Sequence, residues 1–240
     1  MQIHYETWCG ENPFLRFARA VRGVAASPGC SRVCEIGAGA NPLFSLADTE
    51  AMGITEYVLV DISETELAKA PSGYTKVVAD ITAGPLPGVG GFDLVLSQTV
   101  AEHVRDGERF HRAVIEMLGS DARAMHFFPT LYEPAFILNR LLPDALTVGV
   151  IERSQEHRSQ DGAYGKFPAY YRWCRGPTRR QLARFASIGY EIEEYVGLFG
   201  HSYYRPVPPI DRLEDALSRF CVRHPWPLLT SYAWVTLRKP

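Results

Sequence analysis

Three carboxylates mark the stretches of this chain where chemistry could sit. They are Glu35 in VCEIGAGANP (33–42), Asp61 in YVLVDIS (57–63) and Asp80 in TKVVADI (75–81). Each stands inside or at the end of an apolar run, where an unpaired charge is costly to bury. Gly37 and Gly39 follow Glu35 at once, with Ala38 between them and Asn41 beyond. Glycines here let a ligand approach the backbone closely, and amides exposed at a turn into a helix favour an anion. The G-x-G-x-x-G dinucleotide pattern is not met, because Pro42 occupies its third glycine position. That glycine provides the close packing a diphosphate site needs. Its absence, with Glu35 beside the turn, points to a ligand that carries a cation. Asp61, 22 residues after Gly39, is placed to accept from both hydroxyls of a ribose. Its competing role is a helix cap, shared with Ser63. Asp80 with Ile81 suits a ring bearing an amino group; its competing role is an ordinary turn aspartate.

His103 in AEHV (101–104) is the candidate general base, since an imidazole titrates near neutrality. Packing at a helix start is the alternative for it. Glu102 and His103 together are two ligands, too few for a metal site, and no metal is expected. His126 lies within an apolar strand and reads as a core residue, while His157 and His201 are open candidates.

The elements that position these groups follow from the apolar runs. Strands are expected at 32–36, 57–63, 75–81, 91–97 and 122–128, with helices at 12–26, 43–52, 64–70 and within 98–118, broken near Asp106-Gly107. Strands alternating with helices, and runs with little polar alternation, indicate an open and mostly parallel sheet covered on both faces. Ligands bind such sheets beyond the carboxyl ends of the strands, where Gly37–Asn41, Asp61, Asp80 and Ser97 all fall. Residues 131–178 are rich in aromatics and arginine, and a stretch of that length is too long for a plain connection. They are expected to form a helical insertion or lid over the substrate site. A helix at 177–190, strands at 190–198 and 231–239 as antiparallel edges, and a helix at 212–224 complete the chain. The organisation expected is one domain: a helical cap (1–29), a ligand-binding half (30–130), the insertion (131–178) and C-terminal elements (179–240).

The 240 residues carry 25 basic and 27 acidic side chains, which argues against general nucleic-acid binding. Residues 1–130 hold 10 Lys and Arg against 16 Asp and Glu, and residues 131–240 hold 15 against 11. The basic second half suits an anionic ligand or a solvated surface. Five scattered cysteines form neither a disulfide framework nor a zinc pattern. No iron–sulfur triplet follows Cys30 and Cys34, since Gly37 stands where a third cysteine would be. With neither a signal-like apolar core at the start nor a stretch of membrane-spanning length, a cytoplasmic protein is expected.

Val33–Pro42, Asp61 in VLVDIS, Asp80 in VVADIT and FDLVLSQTVAEHV (92–104) together resemble the class I methyltransferases that use S-adenosylmethionine, in their small-molecule, type 11-like branch. The resemblance covers about residues 30–130. It implies a Rossmann-like, doubly wound α/β fold with a mostly parallel seven-stranded sheet and a helical insertion after strand five. It also implies S-adenosylmethionine as cofactor and S-adenosylhomocysteine as product. Glu35 would then approach the amino-acid end of the cofactor, with Gly37, Ala38, Gly39 and Asn41 making room for its methionine and ribose portions. Asp61 would hold the ribose, Asp80 and Ile81 the adenine, Ile62 would belong to the cofactor site, and Ser97 and Gln98 would line the crevice beside the sulfonium. His103 would be the catalytic residue.

The expected activity is methyl transfer to an oxygen, in preference to a nitrogen, of a small molecule such as a sugar, glycolipid or natural-product intermediate, with anionic or glycosidic acceptors included. The chain would act as a monomer or homodimer without nucleic acid. The absence of an Asn/Asp-Pro-Pro-Tyr/Phe motif after the fourth strand (it reads Ser97-Gln98-Thr99-Val100) sets aside the amino-methylating nucleic-acid enzymes. The alternatives are an N-methyltransferase and a non-catalytic cofactor-binding module that scaffolds a partner. A nicotinamide oxidoreductase is disfavoured by Pro42.

Overall fold

The computed structural model describes residues 1–8, 11–84, 86, 88–131, 168–202, 205 and 207–240. Most of the expected insertion, with His157 and the arginines at 153 and 158, lies outside the described residues. The strands are β1 (Gln2–Thr7), β2 (Arg32–Ile36), β3 (Glu56–Asp61), β4 (Thr75–Val78), β5 (Phe92–Gln98), β6 (Leu118–Pro129), β7 (Glu191–Phe199) and β8 (Tyr232–Arg238). The helices are α1 (Pro13–Ala25), α2 (Leu46–Met52), α3 (Glu64–Lys69), α4 (Gly107–Met117), α5 (Arg179–Ile188) and α6 (Pro208–Arg223).

Local chemistry sets the helix ends. Asn12 accepts from the Phe14 amide, and Pro13 between them has no N–H to leave unpaired at the first turn. Ser45 and Asp48 form a reciprocal capping box, and Gly53 ends α2 in the left-handed region. Asp106 accepts from the Glu108 and Arg109 amides, so the break expected at Asp106-Gly107 is the start of α4. Thr178 caps α5, and Gly189 stops it.

These elements form the expected doubly wound α/β fold around one sheet of order β1-β7-β8-β6-β5-β2-β3-β4. Every neighbouring pair is parallel except those made by β8. Two expectations are corrected. Residues 2–7 are an eighth strand paired in parallel with β7 (Gln2 opposite Glu194, Thr7 opposite Phe199), not part of a helical cap. Consequently β7 and β8 are not edges: β8 lies between β6 and β7, and β1 covers β7. The backbone of β7 supplies a full row of donors and acceptors to β1, a pairing that side-chain alternation in QIHYET does not announce.

Two apolar layers enclose the sheet. On one face Phe110, Val114, Phe128, Phe185 and Tyr195 pack together, and on the other Phe17, Val21, Phe44, Tyr57, Phe127 and Trp234. Phe127 is fully buried, stacked on Tyr232 at 5.5 Å and on Phe17 at 5.4 Å, with Phe14 edge-on at 5.0 Å. Phe127→Ala is therefore expected to lower the unfolding free energy by ~3–5 kcal/mol in a urea titration, the range for emptying such a site. A loss under about 1 kcal/mol would show that this layer is not close-packed.

Candidate functional site

The sheet order places one crevice. From β2 the chain winds outward to β3 and β4, then returns to lay β5 on the other side of β2. At such a reversal the loops that leave the two diverging strands, here β2 and β5, frame the place where open α/β sheets bind ligands. Ile36 stands opposite Ser97 there, which brings the glycine turn beside the segment after β5.

The turn is held from both sides. The Gly37 amide donates to the Val60 carbonyl at 2.7 Å, with φ at +74°. A Cβ on Gly37 would stand 2.2 Å from a Val100 methyl, so both backbone angle and space require glycine. The Gly39 amide donates to Asp61 Oδ2 at 2.9 Å, and the Ser63 amide donates to Asp61 Oδ1 at 2.8 Å. Ser63, not Asp61, caps α3, accepting from the Glu66 amide at 3.2 Å. Asp61 thus ties the turn after β2 to the turn after β3. Each of its oxygens retains a second lone pair for a ligand hydroxyl.

Glu35 is buried, and its Oε2 accepts from the Leu43 amide at 2.9 Å and from the Tyr57 hydroxyl. Burial pushes its carboxyl up to about 7, while those two bonds pull the other way. Burial beside Glu35 also raises the Tyr57 hydroxyl. The partners of this acid inside the apolar run are therefore in the chain itself, and Glu35 braces the loop that carries Ala38, which is buried, and Asn41, which is exposed.

The remaining expected contacts separate. Asp80 is exposed, and its Oδ1 accepts from the Thr82 amide and hydroxyl, both at 2.8 Å. Ile81 is buried in the core with Ile36 and Val60, whereas Ile62 is exposed. Ser97 is fully buried, its hydroxyl 2.8 Å from His126 Nδ1. It is withdrawn from the crevice it was expected to line, because side chains alternate across β5 and Gln98 takes the other face. The Gln98 Oε1 atom is buried without a hydrogen-bond partner.

His103 is exposed, with Nδ1 3.2 Å from the Pro168 carbonyl and Nε2 3.7 Å from Glu102 Oε1. Glu102 was read only with its neighbour, yet it is the more unusual group. It is buried, its Oε2 lacks a hydrogen-bond partner, and burial pushes its carboxyl up to about 8. Its carbonyl accepts from the Tyr170 amide at 2.7 Å and the Tyr171 amide at 3.0 Å. Thr99, Tyr171 and Trp173 take positive φ nearby, the kind of backbone strain that collects at functional sites. Sequence reasoning gave no part to Tyr57 or Val100, and weighed Glu102 only as a metal ligand beside His103.

His126 is a core residue, as expected. Burial lowers it to about 3, and it lowers His111 as well, whose ring lies 5.0 Å away edge-on among Phe110, Trp173 and Phe185. His201 is buried with Nε2 3.1 Å from Glu214. Among the described residues, no group of three or more His, Cys, Asp or Glu could hold a metal, and no helix is long and apolar enough to cross a membrane.

Residues 34–125 match the family model described as a methyltransferase domain. No curated protein matches. Among solved structures, an S-adenosylmethionine-dependent methyltransferase from Mesorhizobium loti is 20% identical, with 92% of this chain and 96% of that one covered and a TM-score of 0.52. Geranyl diphosphate C-methyltransferase from Streptomyces coelicolor, solved with magnesium, geranyl diphosphate and S-adenosylhomocysteine, is 12% identical over 95% and 79%, with a TM-score of 0.58. The cyclase SpnF is 14% identical over 99% and 87%, also at 0.58. Identities this low speak for the fold alone, and the last of these neighbours is described by a different reaction.

The buried ionisable groups set a pH dependence. Glu35 and Glu102 hold protons in the folded chain that the unfolded chain releases above about 4.5, so stability falls as pH rises from about 4.5 toward 7 to 8. His126 stays neutral where an unfolded histidine is charged, so stability falls as pH drops from about 6.5 toward 3. Melting temperature is expected to peak in mildly acidic buffer, and Glu102→Gln is expected to flatten the alkaline arm. A wild-type profile that is flat from pH 5 to 8 would contradict the burial of these carboxyls.

Proposed function

We propose that this chain, a class I S-adenosylmethionine-dependent methyltransferase, methylates an oxygen of a small metabolite: a sugar, a glycolipid or a natural-product intermediate. When bound, S-adenosylmethionine supplies a methyl group on a sulfonium and becomes S-adenosylhomocysteine. The observation that carries the reading is the bond between Gly39 and Asp61, which sets bare backbone and a carboxylate with spare lone pairs side by side at the strand-order reversal.

The residues at the reversal fit such a ligand. A Cβ on Gly39 would meet nothing nearer than 3.8 Å, so the backbone there is open to a close approach. Asp61 holds the ribose hydroxyls, exposed Ile62 belongs to the same cofactor site, and exposed Asp80 takes the adenine end with buried Ile81. Glu35 acts through Leu43 and Tyr57, keeping the Gly37–Asn41 turn in shape at the amino-acid end. Gln98 has a buried amide oxygen without a partner among the described residues, which a donor on a ligand would satisfy. Methyl transfer neutralises charge, so the chain contributes mainly by positioning. His103, at the rim, takes the proton of the acceptor hydroxyl. Free Cys30, Cys34, Cys174 and Cys221 support a reducing, cytoplasmic setting.

A second reading, N-methylation, is favoured by one feature: the buried Oε2 of Glu102, without a partner among the described residues, would suit an amine acceptor, whose nitrogen must give up a proton before it can be methylated.

Calorimetry with S-adenosylmethionine and S-adenosylhomocysteine tests the cofactor site. Asp61→Ala is expected to weaken binding by ~1–3 kcal/mol, since buried ligand hydroxyls would lose their acceptor. Failure of folded wild-type protein to bind either ligand overturns the reading. On an acceptor found by screening, His103→Ala is expected to leave cofactor affinity intact and lower kcat by roughly 10²–10⁴. An unchanged kcat removes His103 as the base.

A further inference from the structure

Helix α6 buries one face and leaves a second, apolar face open. Glu214, Ser218 and Cys221 recur at helical steps and turn toward the body, where Glu214 meets His201 and Ser218 approaches Gly200. Ile210, Leu213, Leu217 and Phe220 recur at the same steps on a different face and are between 45% and 70% exposed. The exposed apolar surface continues in sequence through Trp226, Leu228 and Leu229, around the short turn Pro227–Leu229. Scattered exposed apolar residues need no explanation, but this concentration in about twenty residues does.

Charge along the helix is sorted as well. Arg212, Arg219 and Arg223 fall together on the flank beside the apolar stripe, at steps of seven and four residues. Arg219 meets Asp215 at 3.5 Å, whereas Arg212 and Arg223 pair with no described residue. Asp211, Glu214 and Asp215 lie toward the body and are less exposed than these arginines. An apolar stripe with Phe and a nearby Trp, bordered by arginine, is the pattern of a helix that lies in a bilayer interface without spanning it. Two copies packed antiparallel on this stripe about a two-fold axis would set one arginine row against the other, a like-charge contact. Phosphate headgroups complement the row instead.

We propose that α6 and the Trp226–Leu229 segment dock this chain on an anionic phospholipid bilayer, with Leu213, Leu217, Phe220 and Trp226 entering the interface and Arg212 and Arg223 meeting the headgroups. Such a dock would bring the crevice to an acceptor borne on a lipid, and that consequence alone rests on the proposed methyl transfer.

Co-sedimentation with vesicles tests it. Full-length protein is expected to bind vesicles of phosphatidylglycerol and phosphatidylcholine in equal parts, to bind phosphatidylcholine alone weakly, and to release as salt is raised. Leu213→Gln with Leu217→Gln is expected to cut binding about a hundredfold, roughly tenfold for each buried leucine. Arg212→Gln with Arg223→Gln is expected to cut it roughly thirtyfold on the anionic vesicles only. S-adenosylmethionine binding by each variant checks its fold and separates loss of docking from loss of the cofactor site. Wild-type protein that sediments with neither vesicle overturns the proposal. So does a concentration-dependent dimer that the leucine variant abolishes, because the stripe then belongs to a second copy. If the leucine variant fails to fold, arginine variants that bind anionic vesicles as the wild type does overturn it equally.

Discussion

The carboxylate of Asp61 joins two turns that the sheet would otherwise leave independent. One oxygen accepts from Gly39 after β2 and the other from Ser63 after β3, so the loops on neighbouring strands are tied to each other. The bond requires Gly39 at φ +52°, a conformation costly for most residues with a side chain. Space is not the reason for glycine here, since a Cβ would be in ordinary contact at 3.8 Å. Gly37 differs: Val100 from the segment after β5 fills the volume its missing side chain leaves. Through these two glycines the turn is locked to β3 on one side and to the segment after β5 on the other.

Around that turn the chain keeps ionisable groups where water cannot compensate them. Glu35 and Glu102 are held toward their neutral forms by burial, and so are His111 and His126. Glu35 has two internal donors, and its position is explained by the loop it braces. Glu102 lacks a partner for one oxygen, and a buried polar atom left unpaired works against stability. Violations of this kind are expected where a site is built for a ligand. Glu102 sits between the segment after β5 and the strained backbone of Tyr171 and Trp173, which its carbonyl helps to anchor. Ser97 and His126 show the contrary case, a polar pair sealed in the core and partly satisfied by its own bond.

Much of residues 30–130 was legible because its signals are local. The apolar runs before Asp61 and Asp80, the glycine turn and the Gly53 and Gly189 stops each declare themselves within a few residues; β2, β3, β5, β7, β8, α1, α3 and α5 follow the expected bounds within two residues, while β4, β6, α2, α4 and α6 depart from them by three or more. What lay hidden depends on partners distant in sequence. QIHYET carries no strong strand signal, and it becomes β1 because β7 offers an unpaired edge almost two hundred residues away. The same pairing, with β8 inserted between β6 and β7, removed both expected edge strands from the edge.

The sequence by itself determined which residues stand at the strand ends, because apolar period and turn chemistry act over neighbouring positions. It therefore determined the doubly wound fold and the acids that stand within or just beyond its strands. Only the tertiary structure decided what each of those groups faces. Glu35 found Tyr57 and Leu43, Asp61 found Gly39, Ser97 found His126, and Glu102 was left with an oxygen unpaired. A side chain's partner is set by which strand lies beside its own and by which face it takes there, and both depend on the order in which the sheet assembles.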